Sequence, residues 1–267
     1  MTRIIAIANS KGGVSKSTTA INVAATAASH GKRVLVIDLD PQGSCTHLSK
    51  LDSESLLNSS TSMMFQDNPP MPTALAISSL YGFDVIPSSN DLLTSIDWIA
   101  SKAAGETRLA RLLRKDPKIN EYDFVIIDTA GNRDRLTTSV LFACDSVLIP
   151  VEASGLVTQE LINFIGALGE INELRGDFQR ELIVIDAVFF AKVPVAGLNI
   201  TRAAQLNIED VRNGVGHMMR VAETFIPQAT SVERACNERS PVVLFAPDEK
   251  VSQSFLALYE EIYNEVA

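Results

Sequence analysis

The chain has 267 residues, of which 46% are hydrophobic and 21% charged, and its formal net charge is −9. These proportions are typical of a globular protein and exclude a disordered, collagen-like or disulfide-stapled chain. The acidic balance argues against tight nucleic-acid binding unless a local basic stripe supplies it. The three cysteines are far apart in sequence, match neither a zinc site nor a redox pair, and are typical of a reducing, cytosolic compartment.

Short apolar runs alternate with helical stretches along the chain. The apolar runs predict strands at 3–9, 34–37, 83–86, 122–127, 146–151 and 182–190. Helical periodicity predicts helices near 16–29, 90–100, 106–115, 134–143, 156–174, 208–222 and 249–265. This alternation indicates an α/β fold with a mostly parallel, twisted sheet and helices on both faces. We expect one domain over 1–267, a mobile insertion at 52–73 and no membrane-spanning segment.

A glycine-containing loop follows the first strand and precedes the first helix. Such a loop binds phosphate, because its free N–H groups and the helix dipole both favour an anion. Lys16 would reach the β- and γ-phosphates of a nucleotide, and the Ser17 hydroxyl would complete a Mg²⁺ shell. The standard spacing G-x-x-x-x-G-K-[ST] is not met, since Ser10 and Ser15 occupy its glycine positions. The loop consists of Lys11, Gly12, Gly13, Val14, Ser15, Lys16, Ser17 and Thr18.

This loop resembles the deviant phosphate loop K-G-G-x-x-K-[ST]-T of the ParA/MinD family of ATPases, and most of all that of the ParA-type partition and positioning ATPases. The resemblance implies a P-loop NTPase domain that binds ATP and Mg²⁺ through all eight loop residues. It also implies that Lys11, the signature lysine, crosses a dimer interface to the nucleotide of the partner subunit. Ser15 departs from the family, which usually has glycine there, and a positive φ at this serine would cost about 1 kcal/mol.

The second predicted strand ends in two aspartates, Asp38 and Asp40. Carboxylates at the carboxyl ends of parallel strands face the crevice in which such sheets bind ligands. Residues 38–43 resemble the D-x-D-P-Q-G segment of the same family, although Pro41 and Gly43 also suit a solvated turn. The resemblance implies that Asp40 orients or deprotonates the attacking water. It implies that Asp38 supports the metal and the γ-phosphate.

A further apolar strand, 124–127, ends in Asp128 and has the form of a Walker B segment. Asp128 would hold Mg²⁺ through water, because this ion keeps several of its waters. The residues after Thr129 depart from the D-T-P-P of the family. Phosphoryl transfer to water needs positioning and charge neutralisation rather than a covalent nucleophile, so these groups are sufficient for ATP hydrolysis.

The resemblance extends into the C-terminal half at 147–151, 225–227 and 231–241, and it implies that Pro227 flanks the nucleotide. The segment 187–207 lacks the Asn-containing motif of the family. The last helix carries Glu260, Glu261 and Glu265, which an anionic membrane would repel. We therefore expect that helix to pack its apolar stripe (255, 258, 259, 262 and 266) in the core, and we expect no membrane binding.

The resemblance implies that a relative of the DNA-binding branch needs cations on the C-terminal side of the dimer. Arg212 and Arg220 are expected to lie about 80° apart on the helix 208–222 and to share a face. Glu209, Asp210 and Glu223 nearby also suit an ordinary solvated face. DNA contact at these cations would be sequence-neutral and strongly salt-dependent. The candidate DNA-binding residues are Arg202, Arg212, Arg220, Arg234 and Arg239.

The resemblance implies a Mg²⁺- and ATP-dependent homodimer with slow, partner-stimulated hydrolysis. It implies a cytoplasmic, nucleoid-associated protein that binds non-specific DNA and positions a plasmid, chromosome or protein cargo through a ParB-like or other adaptor. Two alternatives remain open from the sequence. One is an ATP-switched interaction protein that does not bind DNA, and the other is a small-molecule synthetase built on the same loop.

Overall fold

The computed structural model describes residues 2–132, 134–197 and 199–263. The strands in this part of the chain are β1 Arg3–Ile7, β2 Val34–Leu39, β3 Ile77–Ser78, β4 Asp84–Ile86, β5 Phe124–Thr129, β6 Ser146–Glu152, β7 Val184–Ala191, β8 Val195–Ala196 and β9 Asn199–Ile200. The α-helices are α1 Lys16–Ser29, α2 Ser44–Leu48, α3 Ser53–Leu56, α4 Leu92–Ser101, α5 Arg108–Lys115, α6 Arg135–Ala143, α7 Val157–Asp177, α8 Arg202–Val215, α9 Thr230–Asn237, α10 Val242–Phe245 and α11 Lys250–Tyr263.

Seven strands form one sheet in the order β3-β4-β2-β5-β1-β6-β7. All neighbours are parallel except the short edge strand β3, which is antiparallel to β4. The central strands are buried along most of their length, as expected of strands with helices on both sides. The predicted α/β class with a mostly parallel sheet is therefore confirmed.

The hydrophobic core has two halves, one on each face of the sheet. Alternate residues of a strand point to opposite faces, so Ala6 of β1 packs in one half and Ile5 and Ile7 in the other. The first half contains helices α4 to α8, and the second contains α1, α2, α9, α10 and α11. This layering leaves the carboxyl ends of the central strands free of helix packing, and the loops that follow them lie there.

The helix predicted at 208–222 is wrong in both bounds. In the structure α8 begins at Arg202, because Thr201 caps it by accepting a hydrogen bond from the amide of Ala204, and it ends at Val215. Arg220 lies beyond the helix, where its carbonyl accepts a hydrogen bond from Val188 of β7. Arg212 and Arg220 therefore do not share a helix face. Strand β3 and the β8–β9 hairpin are too short to show a periodic pattern and were not predicted.

The segment 52–73, expected to be a mobile insertion, folds into α3 and short 3₁₀ turns with Thr61, Met64 and Phe65 buried. The packing predicted for the last helix is confirmed within α11, where Phe255 and Leu258 are buried with Tyr259 and Ile262. Glu265 and position 266 lie outside the described residues. None of the described helices is long and apolar enough to cross a membrane.

Candidate nucleotide site

The strand register brings three predicted site segments to one edge of the sheet. Asp38 of β2 is paired with Asp128 of β5, and Asp128 is also paired with Ile7, the last residue of β1. The loop that follows β1 is the candidate phosphate loop. The loop and both aspartates therefore meet at the carboxyl edge, where parallel sheets bind ligands.

The candidate loop has the backbone of an anion-binding turn. Gly13 and Ser15 both adopt positive φ, 80° and 69° respectively. Lys16, the first residue of α1, is only 6% exposed and donates a hydrogen bond from Nζ to the carbonyl of Lys11 at 3.0 Å. Burial lowers the pKa of its ammonium, while the charges of Asp128 and Asp40 oppose this shift. Val14 buries its side chain and contributes only its backbone to the loop.

Replacement of Ser15 by glycine is expected to stabilise the protein. Ser15 lies in the left-handed region, and its side chain makes no capping hydrogen bond. Removing the Cβ relieves about 1–2 kcal/mol, and the greater freedom of glycine in the unfolded chain offsets part of it. We expect Ser15→Gly to raise the free energy of unfolding in urea by about 0.5–1 kcal/mol. Ser15→Ala keeps the Cβ and should show no gain, and an equal gain in both variants would contradict this account.

A cleft of about 1010 Å³ opens in front of the loop. The predicted residues Gly12, Gly13, Ser15, Lys16, Ser17, Thr18 and Asp40 line it, together with Gln42, His47, Gly131, Asn132, Lys192 and Asn237. Pro227 lines a smaller neighbouring cavity of about 200 Å³, whose wall includes Ser15 and Thr18. The predicted nucleotide contacts from distant parts of the chain thus lie against the same loop.

Asp128 lies behind the loop and is fully buried. Neither of its carboxylate oxygens accepts a well-formed hydrogen bond from the described residues, although the Ser17 hydroxyl and the Cys45 thiol lie close to them. Burial and the charge of Asp38 raise its pKa, and the Ser17 hydroxyl opposes this shift. A buried carboxylate without well-formed hydrogen bonds is costly for a folded protein unless a cation satisfies it. Carboxylate and hydroxyl oxygens are ligands that Mg²⁺ accepts, so Asp128 and Ser17 suit the predicted metal role.

Asp38 differs from Asp128 in having its hydrogen bonds satisfied by the protein. Its Oδ2 accepts from the amide and the hydroxyl of Thr46, each at 2.7 Å, and its Oδ1 accepts from the amide of Asp40 at 3.2 Å. Burial raises its pKa and these bonds lower it. Asp38 therefore anchors the turn that presents Asp40 to the cleft. Thr46, which the sequence did not single out, is the residue that fixes Asp38.

Lys11, the predicted signature lysine, does not line the cleft. Its Nζ lies 3.3 Å from Glu160 of α7 in the same chain, and both side chains are about one-third exposed. Its amide donates to Asn9, whose side chain in turn donates to the carbonyl of Pro150. The backbone of Lys11 is therefore fixed by the end of β6, whereas its side chain is held by one solvent-accessible ion pair.

Two of the cleft residues that were not predicted, Lys192 and Gly131, contact the phosphate loop. Lys192 follows β7 with a positive φ of 52° and donates a hydrogen bond to the carbonyl of Gly13, while pairing with Glu152 at 3.3 Å. Gly131 packs so closely on the loop that a Cβ there would lie 2.8 Å from the Cα of Gly12. The available sequence signals were a lysine directly after an apolar strand and a glycine two residues after another.

Replacement of Gly131 by alanine is expected to weaken ATP binding. The added Cβ would meet backbone atoms of Gly12 at 2.8 and 2.9 Å and the Lys16 ammonium at 3.2 Å, so the loop has to move. A misplacement of about 1 Å in such a site costs on the order of 100-fold in function, and we expect at least a 10-fold higher Kd for a fluorescent ATP analogue. Gly169→Ala on α7 is the control, because a Cβ added there would have no atom within 4 Å. It should leave the Kd unchanged.

Four of the five predicted DNA-binding arginines make contacts with other residues of the chain. Arg212 pairs with Glu223 at 2.8 Å, and Arg220 donates to the carbonyl of Glu261 at 2.6 Å. Arg239 donates to the carbonyl of His47 beside the cleft, and the Arg234 guanidinium lies 5.5 Å from the ring of Phe245. Arg202 is exposed at the start of α8. Arg212 and Arg220 thus share one network, because the amide of Glu223 donates a hydrogen bond to Glu261.

Comparison with known proteins identifies the class of this fold and site. A family model described as "AAA domain" matches residues 2–182. The chain is 30% identical over 262 residues to the chromosome partitioning protein ParA of Myxococcus xanthus, covering 97% of this chain and 87% of the relative. Apo McdA from Cyanothece superposes with a TM-score of 0.84 at 21% identity over the full length of both chains.

A cobyrinic acid a,c-diamide synthase from Mycobacterium smegmatis, solved with ADP and magnesium, has the same fold. Its TM-score is 0.79 at 23% identity, over 97% of this chain and 93% of the synthase. The fold and the loop thus define a P-loop nucleotide-binding protein. Within that class, the chain belongs to the ParA/MinD family of P-loop ATPases.

Proposed function

We propose that this protein is a Mg²⁺-dependent ATPase whose ATP-bound homodimer binds non-specific DNA and positions a plasmid, chromosome or protein cargo. One observation carries the proposal. A buried lysine of the P-loop lies near a buried carboxylate whose oxygens accept no well-formed hydrogen bond from the described residues. Lys16 and Asp128 are both buried and close enough for their charges to interact, and the first suits phosphate whereas the second suits a cation. The likeness to a ParA named for chromosome partitioning supports the wider role.

In this proposal the loop amides and Lys16 bind the β- and γ-phosphates, and Pro227 lies beside the rest of the nucleotide. Mg²⁺, held by Ser17 and Asp128 with support from Asp38, would neutralise phosphate charge. Asp40 lines the cleft and orients a water molecule toward the γ-phosphorus. The water oxygen bonds to phosphorus as the bond to the ADP oxygen breaks, and Asp40 accepts the proton, giving ADP and phosphate.

Dimerisation would involve Lys11. Its ion pair with Glu160 is partly exposed, and such pairs contribute only about 0–1 kcal/mol. The ammonium is therefore readily exchanged from Glu160 to the phosphates of a nucleotide in a partner subunit. The contact between Lys11 and the phosphates would then form only in the ATP-bound dimer.

A second candidate is a small-molecule synthetase, favoured by the shared fold of the cobyrinic acid a,c-diamide synthase. A third is an ATP-switched interaction protein that does not bind DNA. ATP turnover that depends on a metabolite would favour the synthetase. Turnover that stays near zero with DNA and a ParB-like adaptor present would favour the interaction protein.

Molar mass in solution and ATP turnover, measured together, test the proposal. We expect a monomer with ADP, a dimer with Mg²⁺ and ATP, and slow release of phosphate. Asp40→Ala should form the dimer and lose turnover, whereas Lys11→Ala should bind ATP as a monomer and fail to dimerise. A protein that hydrolyses ATP as a monomer, or a Lys11→Ala variant that dimerises like the parent, would contradict the proposal.

A further inference from the structure

The cations without partners concentrate on helix α5 rather than in the C-terminal half. Across residues 2–132, 134–197 and 199–263, a few Lys and Arg side chains make no ion pair, hydrogen bond or ring contact. They are Lys32, Lys50, Arg111, Arg114, Lys115, Lys118 and Arg202. Most of this set falls between positions 111 and 118, although the chain as a whole is acidic.

Three of these residues form one face of α5, which we call the α5 basic face: Arg111, Arg114 and Lys115. At about 100° per residue they span an arc of about 100°. All three are exposed, whereas Leu109, Leu112 and Leu113 on the opposite side are buried in the core. No acidic residue lies within the helix, and none of the three faces the ATP cleft.

The acidic groups around this face are already engaged. Asp67 pairs with Lys102 at 2.7 Å, Asp116 is buried and accepts from the amide and hydroxyl of Thr73, and Glu106 pairs with Arg135. Arg108, one turn earlier on α5, extends the positive charge and lies 5.4 Å from the ring of Trp98. Each of these three carboxylates is therefore engaged with a partner outside the α5 basic face.

We propose that the α5 basic face is the surface that contacts the phosphate backbone of non-specific DNA. This inference rests on the proposed function and names a different contact surface from the C-terminal arginines. Among those arginines, Arg212 and Arg220 are neutralised by Glu223 and Glu261. An exposed helix face with arginines suits phosphate, because backbone contact needs donors and positive charge.

Other polyanions are less well matched to this helix. A membrane-surface helix needs an apolar face free to enter the bilayer, and the apolar face of α5 is buried. Arg111 and Lys115 line a cavity of about 400 Å³, and the carboxylate of Asp67 in its wall would repel an acidic peptide inserted there. DNA is therefore the partner that these contacts favour.

The test compares two charge-matched triple variants in the ATP-bound state. The first is Arg111→Gln/Arg114→Gln/Lys115→Gln, and the second is Arg202→Gln/Arg212→Gln/Arg220→Gln. Each removes three positive charges, and glutamine keeps a high helix propensity. Binding to a long non-specific duplex is followed by anisotropy across a salt series, and binding of a fluorescent ATP analogue verifies that each variant is folded.

For the first variant we expect affinity to fall on the order of 30-fold near 0.1 M salt, and the slope of log K against log salt to become shallower by about 2–3. The second variant should stay within about threefold of the parent protein. The inference is overturned if the variant at 111, 114 and 115 binds DNA as tightly as the parent protein, or if the variant at 202, 212 and 220 loses DNA affinity instead. Either result leaves the proposed function intact. A parent protein that binds no DNA overturns both. A first variant that loses affinity for polyglutamate and keeps affinity for DNA assigns the face to an acidic protein and overturns the inference.

Discussion

The Asp128→Asn variant is expected to unfold at a higher urea concentration than the parent protein and to lose Mg²⁺-dependent ATP binding. Asp128 is fully buried, and neither of its carboxylate oxygens accepts a well-formed hydrogen bond from the described residues, so its charge opposes folding. Removing the charge should stabilise the nucleotide-free protein by about 2 kcal/mol, with part of the gain offset by the lost attraction to Lys16. The carboxylate that suits the cation is lost at the same time.

Asp38→Asn is the matched control, because it makes the same change on the neighbouring strand. Asp38 accepts three hydrogen bonds, two from Thr46 and one from Asp40. In Asp38→Asn the new NH₂ group would face at least one of these N–H or O–H donors, so that hydrogen bond would be lost. We expect this variant to lose about 2 kcal/mol of stability. Equal losses in both variants, or unchanged Mg²⁺ dependence in Asp128→Asn, would show that Asp128 does not prepare a cation site.

The Lys16→Ala variant is expected to lose ATP binding almost completely. The ammonium is buried at the start of α1 and is the cation that lies inside the loop. Removing one partner of a buried charge pair costs about 2–5 kcal/mol, which corresponds to roughly 30- to 5,000-fold in Kd. The Kd for a fluorescent ATP analogue, measured by titration, checks this expectation.

Lys32→Ala serves as the control for the loss of a lysine near the same helix. Lys32 lies in the exposed turn just after α1, away from the residues that line the cleft. Its replacement should leave the Kd unchanged. A Lys16→Ala protein that binds ATP within threefold of the parent protein would rule out the assigned loop as the phosphate site.

Local patterns predicted much of the fold and the loop. Apolar runs of strand length marked the six longer strands, and the turn chemistry between β1 and α1 located the phosphate loop. The positive φ of Ser15 was considered from the family pattern alone, and the structure shows it at 69°. These features are encoded within a few residues of one another, so a single sequence is sufficient to recognise them.

Features that depend on distant contacts could not be read in this way. The start of α8 was missed because its first turn, after the cap Thr201, buries only the small side chain of Ala204 and gives a weak apolar period. The neutralisation of Arg220 involves Glu261, 41 residues away, and the pairing of Lys11 with Glu160 spans 149 residues. The candidate DNA-binding arginines were therefore chosen by their position along the chain. Which lysines and arginines lack an ion-pair partner depends instead on contacts between residues that are distant in sequence.

Binding to a long, non-specific duplex tests the central claim most directly. It would be measured with ADP, with ATP, and with ATP for the Asp40→Ala variant, each across a salt series. The account predicts binding only with ATP, a steep loss of affinity as salt rises, and persistence of binding in Asp40→Ala. Absence of binding in every nucleotide state would contradict a DNA-based positioning ATPase and would favour a synthetase or a switch that acts on proteins alone.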